Sequence, residues 1–507
     1  MSAKSGNLID VFYARHAGYA SKPALLWRGD VVCSFGELPQ IVGRYRAALV
    51  QLGVTRGDRV MVKTDNSPSF VFTYLAVLAS GAIFVPMNAA YTAGEVMALI
   101  EDAEPALLIH AAATAVPDFA EAPVRRVTLE ADGGGALPDL AATLAPVPGV
   151  EPMAVDDLAA ILFTSGTTGR PKGAMLTHGN LSSNVAALFD TWRFSDADTI
   201  LHALPLFHAH GLFVALHLGL FSAATLRMLP RFDAAAVIAE LPLVSVFMGV
   251  PTFYTRLLDN PAFTREVAAG RRLFISGSAP LLPSVFNAFE GRTGHRILER
   301  YGMTEAVMIT SNPYDQAGRI PGTVGFPLPG VSLRVVDAMH AGLPTGEVGE
   351  IEIKGPNVCR GYWRRAEATA ESFGSDGYFL TGDTGFKDRE GRVTISGRSK
   401  DLIISGGYNV YPAEIEMILA EVPGVQDVAV FGVPHPDFGE AVLAAVTLDG
   451  GAFDITAMEA LIVARFARFK QPKAVHVLDE FPRNAMGKIL KARLRETYAD
   501  SFKAPVA

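Results

Sequence analysis

Cysteine is scarce in this sequence, with only Cys33 and Cys359 among 507 residues. Neither cysteine stands at the spacing of a metal-ligand motif, and two cysteines give no disulfide framework. The sequence therefore excludes a disulfide-stabilised module and a zinc finger, and it favours a reducing compartment.

Positive charge is also not concentrated anywhere. The chain has 44 Lys and Arg against 52 Asp and Glu, a formal net charge of −8, and no basic run or tail. We therefore expect no nucleic-acid partner.

Long apolar runs are missing as well. The most apolar stretches, such as 70–84, are interrupted by Ser or Gly, whereas a membrane-spanning helix needs about 20 apolar residues. Residues 1–7 are polar and do not predict a signal peptide. We expect no membrane span and a cytoplasmic location.

Hydrophobic residues, in contrast, make up half of the chain, and a chain this long usually folds as two or more domains. Helical and strand patterns alternate over residues 8–110, which predicts doubly wound α/β layers. Two glycine-bounded strand patterns near 331–354 predict a smaller β-rich subdomain. The basic stretch after 397 marks our predicted boundary, between an N-terminal domain, 1–399, and a small, mobile α+β C-terminal domain, 400–507.

Four local predictions depend on composition alone. The Gly-, Ala- and Pro-rich segment 133–152 predicts an irregular connection. Residues 203–207 predict the end of a strand that leads directly to His208, and 241–248 predicts a buried parallel strand. A further strand is expected to end at Leu298.

The most informative stretch is Thr164–Gly173, with the sequence TSGTTGRPKG between two apolar runs. Its glycines and hydroxyl residues allow several backbone N–H groups to point inward, which makes an anion-binding concavity, and Lys172 adds a positive charge. The order of residues does not match the P-loop of nucleotide-binding proteins, because Gly173 stands where Ser or Thr should follow the lysine. The pattern predicts a strand–loop–strand unit that binds a nucleoside triphosphate.

Three further segments supply matching chemistry, although each is unspecific alone. The sequence YGMTE at 301–305 offers a carboxylate that suits Mg²⁺. Thr381–Asp383 offers a carboxylate that suits the two hydroxyls of a ribose. Gly277–Pro280 predicts a tight turn.

Together and in this order, these segments resemble the core motifs of the AMP-forming adenylate synthetases, which include acyl-CoA synthetases, luciferases and adenylation domains. The resemblance continues through 398–401, 405–409 and the Pro-x-x-x-x-Gly-Lys pattern of 482–488. It extends from about residue 8 to about residue 500. It implies the use of ATP, Mg²⁺ and coenzyme A.

The resemblance also implies roles for individual residues. It gives catalytic roles to Lys488, Glu305 and His208, with Glu305 as the Mg²⁺ ligand, and a hinge role to Lys400. It places Gly406 and Gly407 in a loop used in the thioester-forming step. The residues that it assigns to nucleotide binding are Thr164, Ser165, Gly166, Thr167, Thr168, Lys172, Gly277, Ser278, Ala279, Tyr301, Gly302, Thr304, Asp383 and Arg398.

Arg300 narrows the choice of acid. Relatives that act on plain fatty or aryl acids usually have a small or apolar residue before Tyr-Gly. A buried Arg there would be an uncompensated charge unless a second carboxylate of the substrate pairs with it. The alternative is an ordinary ion pair with a neighbour such as Glu299.

The surrounding segments 248–254, 274–280 and 298–305 resemble malonyl-CoA synthetases, which implies that Ser276, His208 and Arg300 line the acid pocket. Ala209 departs from the larger residue often found between the two histidines of that family. If its side chain lines the pocket, methylmalonate becomes a possible substrate.

We therefore expect a malonate–CoA ligase that forms malonyl-AMP and then malonyl-CoA, acting as a monomer or homodimer. Two alternatives remain open at this point: adenylation followed by loading of a carrier-protein thiol, and a non-catalytic ligand-binding descendant of the fold.

Overall fold

The structure is a computed structural model that describes residues 6–114, 124–164, 171–483 and 488–502. Within these residues the strands are β1 Pro23–Trp27, β2 Asp30–Ser34, β3 Arg59–Lys63, β4 Ile83–Pro86, β5 Leu107–His110, β6 Arg125–Thr128, β7 Leu158–Thr164, β8 Lys172–Thr177, β9 Thr199–His202, β10 Thr225–Met228, β11 Val246–Gly249, β12 Leu273–Ser276, β13 Leu298–Tyr301, β14 Thr310–Ser311, β15 Phe326–Pro327, β16 Ser332–Val336, β17 Gly349–Lys354, β18 Phe379–Lys387, β19 Val393–Arg398, β20 Ile403–Ser405, β21 Tyr408–Val410, β22 Val425–His435, β23 Gly439–Leu448 and β24 Val475–Leu478.

The α-helices of the same residues are α1 Leu8–Arg15, α2 Leu38–Gln51, α3 Pro68–Ala79, α4 Ala93–Ala103, α5 Ala136–Thr143, α6 His178–Thr191, α7 His217–Ser222, α8 Ala234–Glu240, α9 Pro251–Asp259, α10 Arg265–Ala268, α11 Pro283–Thr293, α12 Ala366–Glu371, α13 Pro412–Leu419, α14 Ile455–Arg465 and α15 Lys491–Thr497. A π-helix covers His210–Leu216, and short 3₁₀ turns cover Leu241–Leu243, Gln316–Gly318 and Ser399–Asp401.

Helix α3 shows how the sequence sets the helices of the core. Ser67 caps its first turn by accepting from the Phe70 N–H at 3.2 Å, and Pro68 occupies a position where its missing N–H costs nothing. Every residue of α3 is buried, as expected for a helix that is apolar on all sides.

Two mostly parallel sheets form the N-terminal part. One has the strand order β6-β5-β3-β4-β7-β8, and a larger one has the order β15-β14-β13-β12-β11-β9-β10-β1-β2. Strands β11 and β12 are buried at every residue, which is the pattern of a parallel strand covered on both faces. One continuous core contains residues of both sheets and of helices α1, α2, α3 and α6. The predicted α/β fold is confirmed.

The remaining strands form the predicted smaller units. Strands β16-β17-β18-β19 make an antiparallel sheet, and β21-β20-β23-β22, joined by β24, make a C-terminal sheet with a hydrophobic core of its own. The predicted boundary between residues 399 and 400 falls in the 3₁₀ turn that joins β19 to β20. The exact domain limits stay a prediction. No helix in the described part of the chain is long and apolar enough to cross a membrane.

The predictions for 133–152 and 203–207 were wrong. Helix α5 lies inside the first segment, because Leu137 and Ala141 fall on one helical face and are buried. In the second segment the strand ends earlier, at His202. The backbone of residues 203–207 is instead hydrogen-bonded by the Asn66 side chain. This side chain donates to the Leu204 carbonyl at 2.8 Å and accepts from the Leu206 N–H at 2.8 Å.

The predictions at 241–248 and at Leu298 were partly wrong. A strand occupies only Val246–Gly249, since Pro242 lies in the 3₁₀ turn Leu241–Leu243 before it and has no N–H for a sheet. Leu298 starts β13 rather than ending a strand, because it pairs in register with Ile275 of β12. The motif at 301–305 therefore begins at the carboxyl end of that strand.

The amino ends of three neighbouring strands are held by one buried carboxylate. Asp198, Ser245 and Arg272 each precede a strand, β9, β11 and β12 respectively. Arg272 binds both oxygens of Asp198, at 2.6 and 2.7 Å, and the Ser245 hydroxyl donates to Asp198 at 2.7 Å. The carboxyl ends of the same strands lie at the opposite edge, which is where open α/β sheets usually bind their ligands.

We predict that Asp198→Ala lowers the thermal midpoint of the protein by several degrees. The change leaves the Arg272 guanidinium without its carboxylate, a loss of about 3 kcal/mol. Differential scanning fluorimetry measures it, with exposed Asp196→Ala as the matched control. Equal midpoints for the two variants would contradict a stabilising role for the pair.

Candidate active site

The ends of the TSGTTGRPKG segment are held together by strand pairing. Thr164, the last residue of β7, pairs with Lys172, the first residue of β8, and its hydroxyl donates to the Lys172 carbonyl at 3.3 Å. Ser165, Gly166, Thr167 and Thr168 lie outside the described residues. The two predicted strands on either side of the segment are present.

Glu305 is buried close to Lys172. Its carboxylate Oε1 accepts a hydrogen bond from the Tyr362 hydroxyl at 3.0 Å, and the Lys172 ammonium lies 5.2 Å from the centre of the same Tyr362 ring. Burial raises the pKa of Glu305, while the Tyr362 hydrogen bond opposes the shift. The structure thus brings two of the predicted residues together through a third.

Sequence analysis missed Tyr362. It follows Gly361 in a segment without helical or strand periodicity, and its place depends on tertiary pairing with β8, where it forms a bridge with Ala174. A lone aromatic residue beside a glycine carries no recognisable signal, so only the structure identifies it.

Tyr301, Asp383 and Arg398 form a second cluster. The Tyr301 hydroxyl donates to Asp383 Oδ2 at 2.5 Å, and Arg398 Nε lies 3.4 Å from Asp383 Oδ1. Asp383 and Arg398 face each other across β18 and β19. Burial raises the pKa of Asp383, and the Arg398 charge opposes the shift.

Lys488 belongs to the same cluster. Desolvation and the Arg398 charge lower the pKa of Lys488, while Asp383 and Asp401 act in the opposite direction. The charge of Lys488, in the C-terminal unit, is therefore near enough to Asp383 and Arg398 to interact with both. Four of the predicted residues, far apart in sequence, meet here.

At two glycines of the site, a larger side chain would come too close to neighbouring atoms. A Cβ on Gly277 would lie 2.5 Å from Cζ of Arg300, and one on Gly302 would lie 2.0 Å from the Val307 carbonyl oxygen. Ser278, the next residue of the Gly277 turn before Ala279, has φ +72°, a strained conformation that is frequent at functional sites. Thr304 lies beside Glu305 in the turn after Gly302.

Arg300 is buried, and no carboxylate of the described residues pairs with its charge. It is 3% exposed, and among the described residues its Nε and Nη2 have no hydrogen-bond acceptor. The hydroxyl of fully buried Ser276 also has no partner in the described structure. Burial lowers the pKa of Arg300 to about 9, so it is still charged at neutral pH.

Glu299 does not neutralise Arg300 by an ion pair. Neighbouring residues of a strand point to opposite faces, and Glu299 Oε1 accepts from the Leu281 N–H at 3.1 Å. Burial raises the pKa of Glu299 to about 8, so this carboxyl is mostly protonated at neutral pH. The arrangement argues against the simple Arg300–Glu299 salt bridge.

His208 and His210 lie near Arg300. Burial and the Arg300 charge lower the pKa of His208 to about 4 and that of His210 well below its usual range. His208 Nδ1 accepts from the His210 N–H at 3.3 Å, and His210 Nδ1 lies 3.4 Å from the Ser278 hydroxyl. Both imidazoles are therefore neutral at physiological pH.

The remaining predicted residues lie in or before the C-terminal sheet. Lys400 is in the 3₁₀ turn before β20. Gly406 and Gly407 form the exposed turn between β20 and β21, with φ of +59° and +83°, and the Gly406 N–H donates to the Phe438 carbonyl at 2.9 Å. This turn is held within the C-terminal unit and is not part of the Arg300 pocket.

Most of the chain matches a known enzyme family. The family described as AMP-binding enzyme matches residues 12–363, and its C-terminal domain family matches residues 414–488. The chain belongs to the AMP-binding enzyme family. It is an AMP-forming acid–thiol ligase of the acyl-CoA synthetase type, which confirms the enzyme class predicted above.

Three relatives illustrate the range of this ligase family. A malonate–CoA ligase of Arabidopsis thaliana is 35% identical over 488 residues, 88% of this chain and 79% of the relative. A feruloyl-CoA synthase of Amycolatopsis sp is 36% identical over 96% of this chain and 98% of its own. ATP-bound MatB from Rhodopseudomonas palustris is 46% identical, with a TM-score of 0.94 over 98% of this chain and 100% of MatB.

We predict that Glu299→Gln makes this ligase more stable than the wild type, by a margin that grows between pH 5 and pH 8. The carboxyl has an ordinary pKa of 4.5 and a folded pKa of about 8. The folded protein therefore binds this proton more tightly than the unfolded chain, and its stabilising effect is lost as pH rises towards 8.

Thermal midpoints measured across this pH range test the prediction. Glu367→Gln, a change of an exposed glutamate, controls for the loss of one negative charge. A constant difference between Glu299→Gln and wild type at all pH values would show that Glu299 is ionised throughout.

Proposed function

We propose that this acyl-CoA synthetase is a malonate–CoA ligase, forming malonyl-CoA, AMP and pyrophosphate from malonate, ATP and coenzyme A. The observation that carries the proposal is the buried Arg300 guanidinium, whose Nε and Nη2 have no hydrogen-bond acceptor among the described residues. A buried charge of this kind is costly unless something pairs with it.

Malonate fits this requirement because it has two carboxylates. One reacts with ATP, and the other accepts charge-assisted hydrogen bonds from Arg300. Ser276 pairs in register with Glu299, so its side chain lies on the Glu299 face of the strands, opposite to that of Arg300. Overall identity does not decide the acid, since the malonate ligase and the feruloyl-CoA synthase are equally similar to this chain. The charge in the pocket favours the dicarboxylate over an aryl or fatty acid.

The second cluster suits the nucleotide. Asp383 would accept the ribose hydroxyls, with the Tyr301 ring against the adenine, and Gly277, Ser278 and Ala279 would form the opposite wall. Lys172 would lie against the phosphates. The similarity to an ATP-bound structure supports this arrangement.

Glu305 suits a magnesium ion. Mg²⁺ prefers hard oxygen ligands and often binds through one carboxylate and substrate phosphates. Among the described residues no group of three or more His, Cys, Asp or Glu side chains would hold a metal by itself, so a single carboxylate is the fitting donor. The ion, when bound, supplies neutralisation of phosphate charge.

In the first step, a malonate carboxylate oxygen attacks the α-phosphorus, a new P–O bond forms, and the bond to pyrophosphate breaks. Negative charge builds on the α-phosphoryl oxygens. Lys488, held beside Asp383 and Arg398, would stabilise that charge; removing such a contact costs about 3 kcal/mol.

In the second step, the sulfur of coenzyme A attacks the malonyl carbonyl, a C–S bond forms, the C–O bond to AMP breaks, and the thiol proton is released to water. His208, neutral between the acid pocket and the thiol channel, would contact the reacting groups. The C-terminal unit would rotate about Lys400, so that Gly406 and Gly407 approach the pantetheine chain. A cytoplasmic location fits this chemistry and stays part of the proposal.

Methylmalonate is the second candidate acid. Ala209, between the two histidines, is small and 6% exposed, and a smaller residue beside the pocket leaves room for one extra methyl group. An added methyl group changes specificity by only about 1–3 kcal/mol, so both acids are expected to react.

The experiment that tests the proposal is coenzyme A-dependent AMP formation with malonate, methylmalonate, succinate, acetate and butyrate. We expect kcat/KM for malonate or methylmalonate to exceed that for acetate and butyrate by more than about tenfold, or 1.4 kcal/mol. Acetate or butyrate in first place would leave the ligase family intact and would refute the dicarboxylate pocket.

A further inference from the structure

Tyr362 lies between the two charged groups that the proposed function assigns to the ATP phosphates. Its hydroxyl donates to Glu305 Oε1 at 3.0 Å. The Lys172 ammonium lies over its ring, 5.2 Å from the ring centre, which is within the range of a cation–π contact. The side chain is 8% exposed, so water competes little for either contact.

The backbone around Tyr362 fixes it to both partners. The Cys359 N–H donates to the Glu305 carbonyl at 2.7 Å, and the Trp363 N–H donates to the Gly173 carbonyl at 2.8 Å. The segment 359–363 therefore joins the turn that carries Glu305 to the strand that carries Lys172. These two elements are otherwise more than a hundred residues apart in sequence.

We propose that Tyr362 is a positioning residue that sets the orientation of the Glu305 carboxylate for Mg²⁺ and of the Lys172 ammonium for the phosphates. By fixing Oε1, the hydroxyl determines the direction in which the other carboxylate oxygen points. The two contacts use different parts of the side chain, so they are separable by substitution. This inference rests on the proposed Mg²⁺ role of Glu305.

Tyr362→Phe removes the hydroxyl and keeps the ring. We expect ATP affinity at saturating Mg²⁺ to fall about tenfold, the usual size of losing one hydrogen bond to a charged group, and affinity for ATP in EDTA to stay unchanged. Isothermal titration of the full chain with ATP, with and without Mg²⁺, measures both values without depending on turnover.

Tyr362→Leu removes the ring as well. Because Lys172 then loses its aromatic partner, we expect weaker ATP binding in EDTA too. Tyr378→Phe is the matched control, since the Tyr378 hydroxyl bonds only Ser332 among the described residues, at 2.7 Å, in the antiparallel sheet away from the phosphates. It should match the wild type in both titrations.

Two results would overturn the inference. The first is that Tyr362→Phe binds MgATP as the wild type does. The second is that it loses the same factor in ATP affinity with and without Mg²⁺, which would indicate a general structural role. A different result would refute the proposed Mg²⁺ site itself: wild-type ATP affinity that does not change when Mg²⁺ is added. The identity of the acid affects none of these measurements.

Discussion

The unbalanced charge of Arg300 is the constraint on which the acid pocket depends. The side chain is almost completely buried, and the adjacent Glu299 points to the other face of the strand with its carboxyl mostly protonated. A charge in that position costs several kcal/mol unless it is paired. The guanidinium lies at the carboxyl edge of the large sheet, in space that the missing side chain of Gly277 leaves open. Burial, together with the same positive charge, lowers the pKa of His208 and His210 and keeps both neutral.

The nucleotide half of the site depends on how distant elements meet Tyr301. Tyr301 directly follows Arg300 in the sequence, and its hydroxyl donates a hydrogen bond to Asp383 of the antiparallel sheet. Asp383 faces Arg398, and Lys488 of the C-terminal unit lies near both. A movement of the C-terminal unit would therefore change the charges around Asp383 directly. Such a coupling would suit the proposed two-step reaction, in which the unit takes up two different arrangements.

Much of the fold follows from the sequence because its signals are local. The alternating helical and strand patterns of residues 8–110 show the α/β layers, and the apolar run of 241–248 contains strand β11, although the strand starts only at Val246. Helix α5 was missed because its two buried residues are hidden in a Gly- and Pro-rich segment, and the end of β9 was misplaced because Asn66, distant in sequence, binds the following backbone. In the site, the residues predicted from the sequence belong to motifs with recognisable chemistry of their own, and their roles stay predictions. Tyr362 was not, because its role exists only through tertiary pairing.

The most direct test of the account compares two acids of nearly equal shape in two proteins. Malonate has a distal carboxylate where 3-methylbutanoate has an isopropyl group. The variant Arg300→Met removes the positive charge and keeps a long side chain. The account predicts that this substitution lowers kcat/KM for malonate about a hundredfold or more, as expected for a lost charge-assisted contact, with little or no loss for 3-methylbutanoate and unchanged ATP affinity. An equal loss for both acids would mean that Arg300 is structural, and would contradict the central claim.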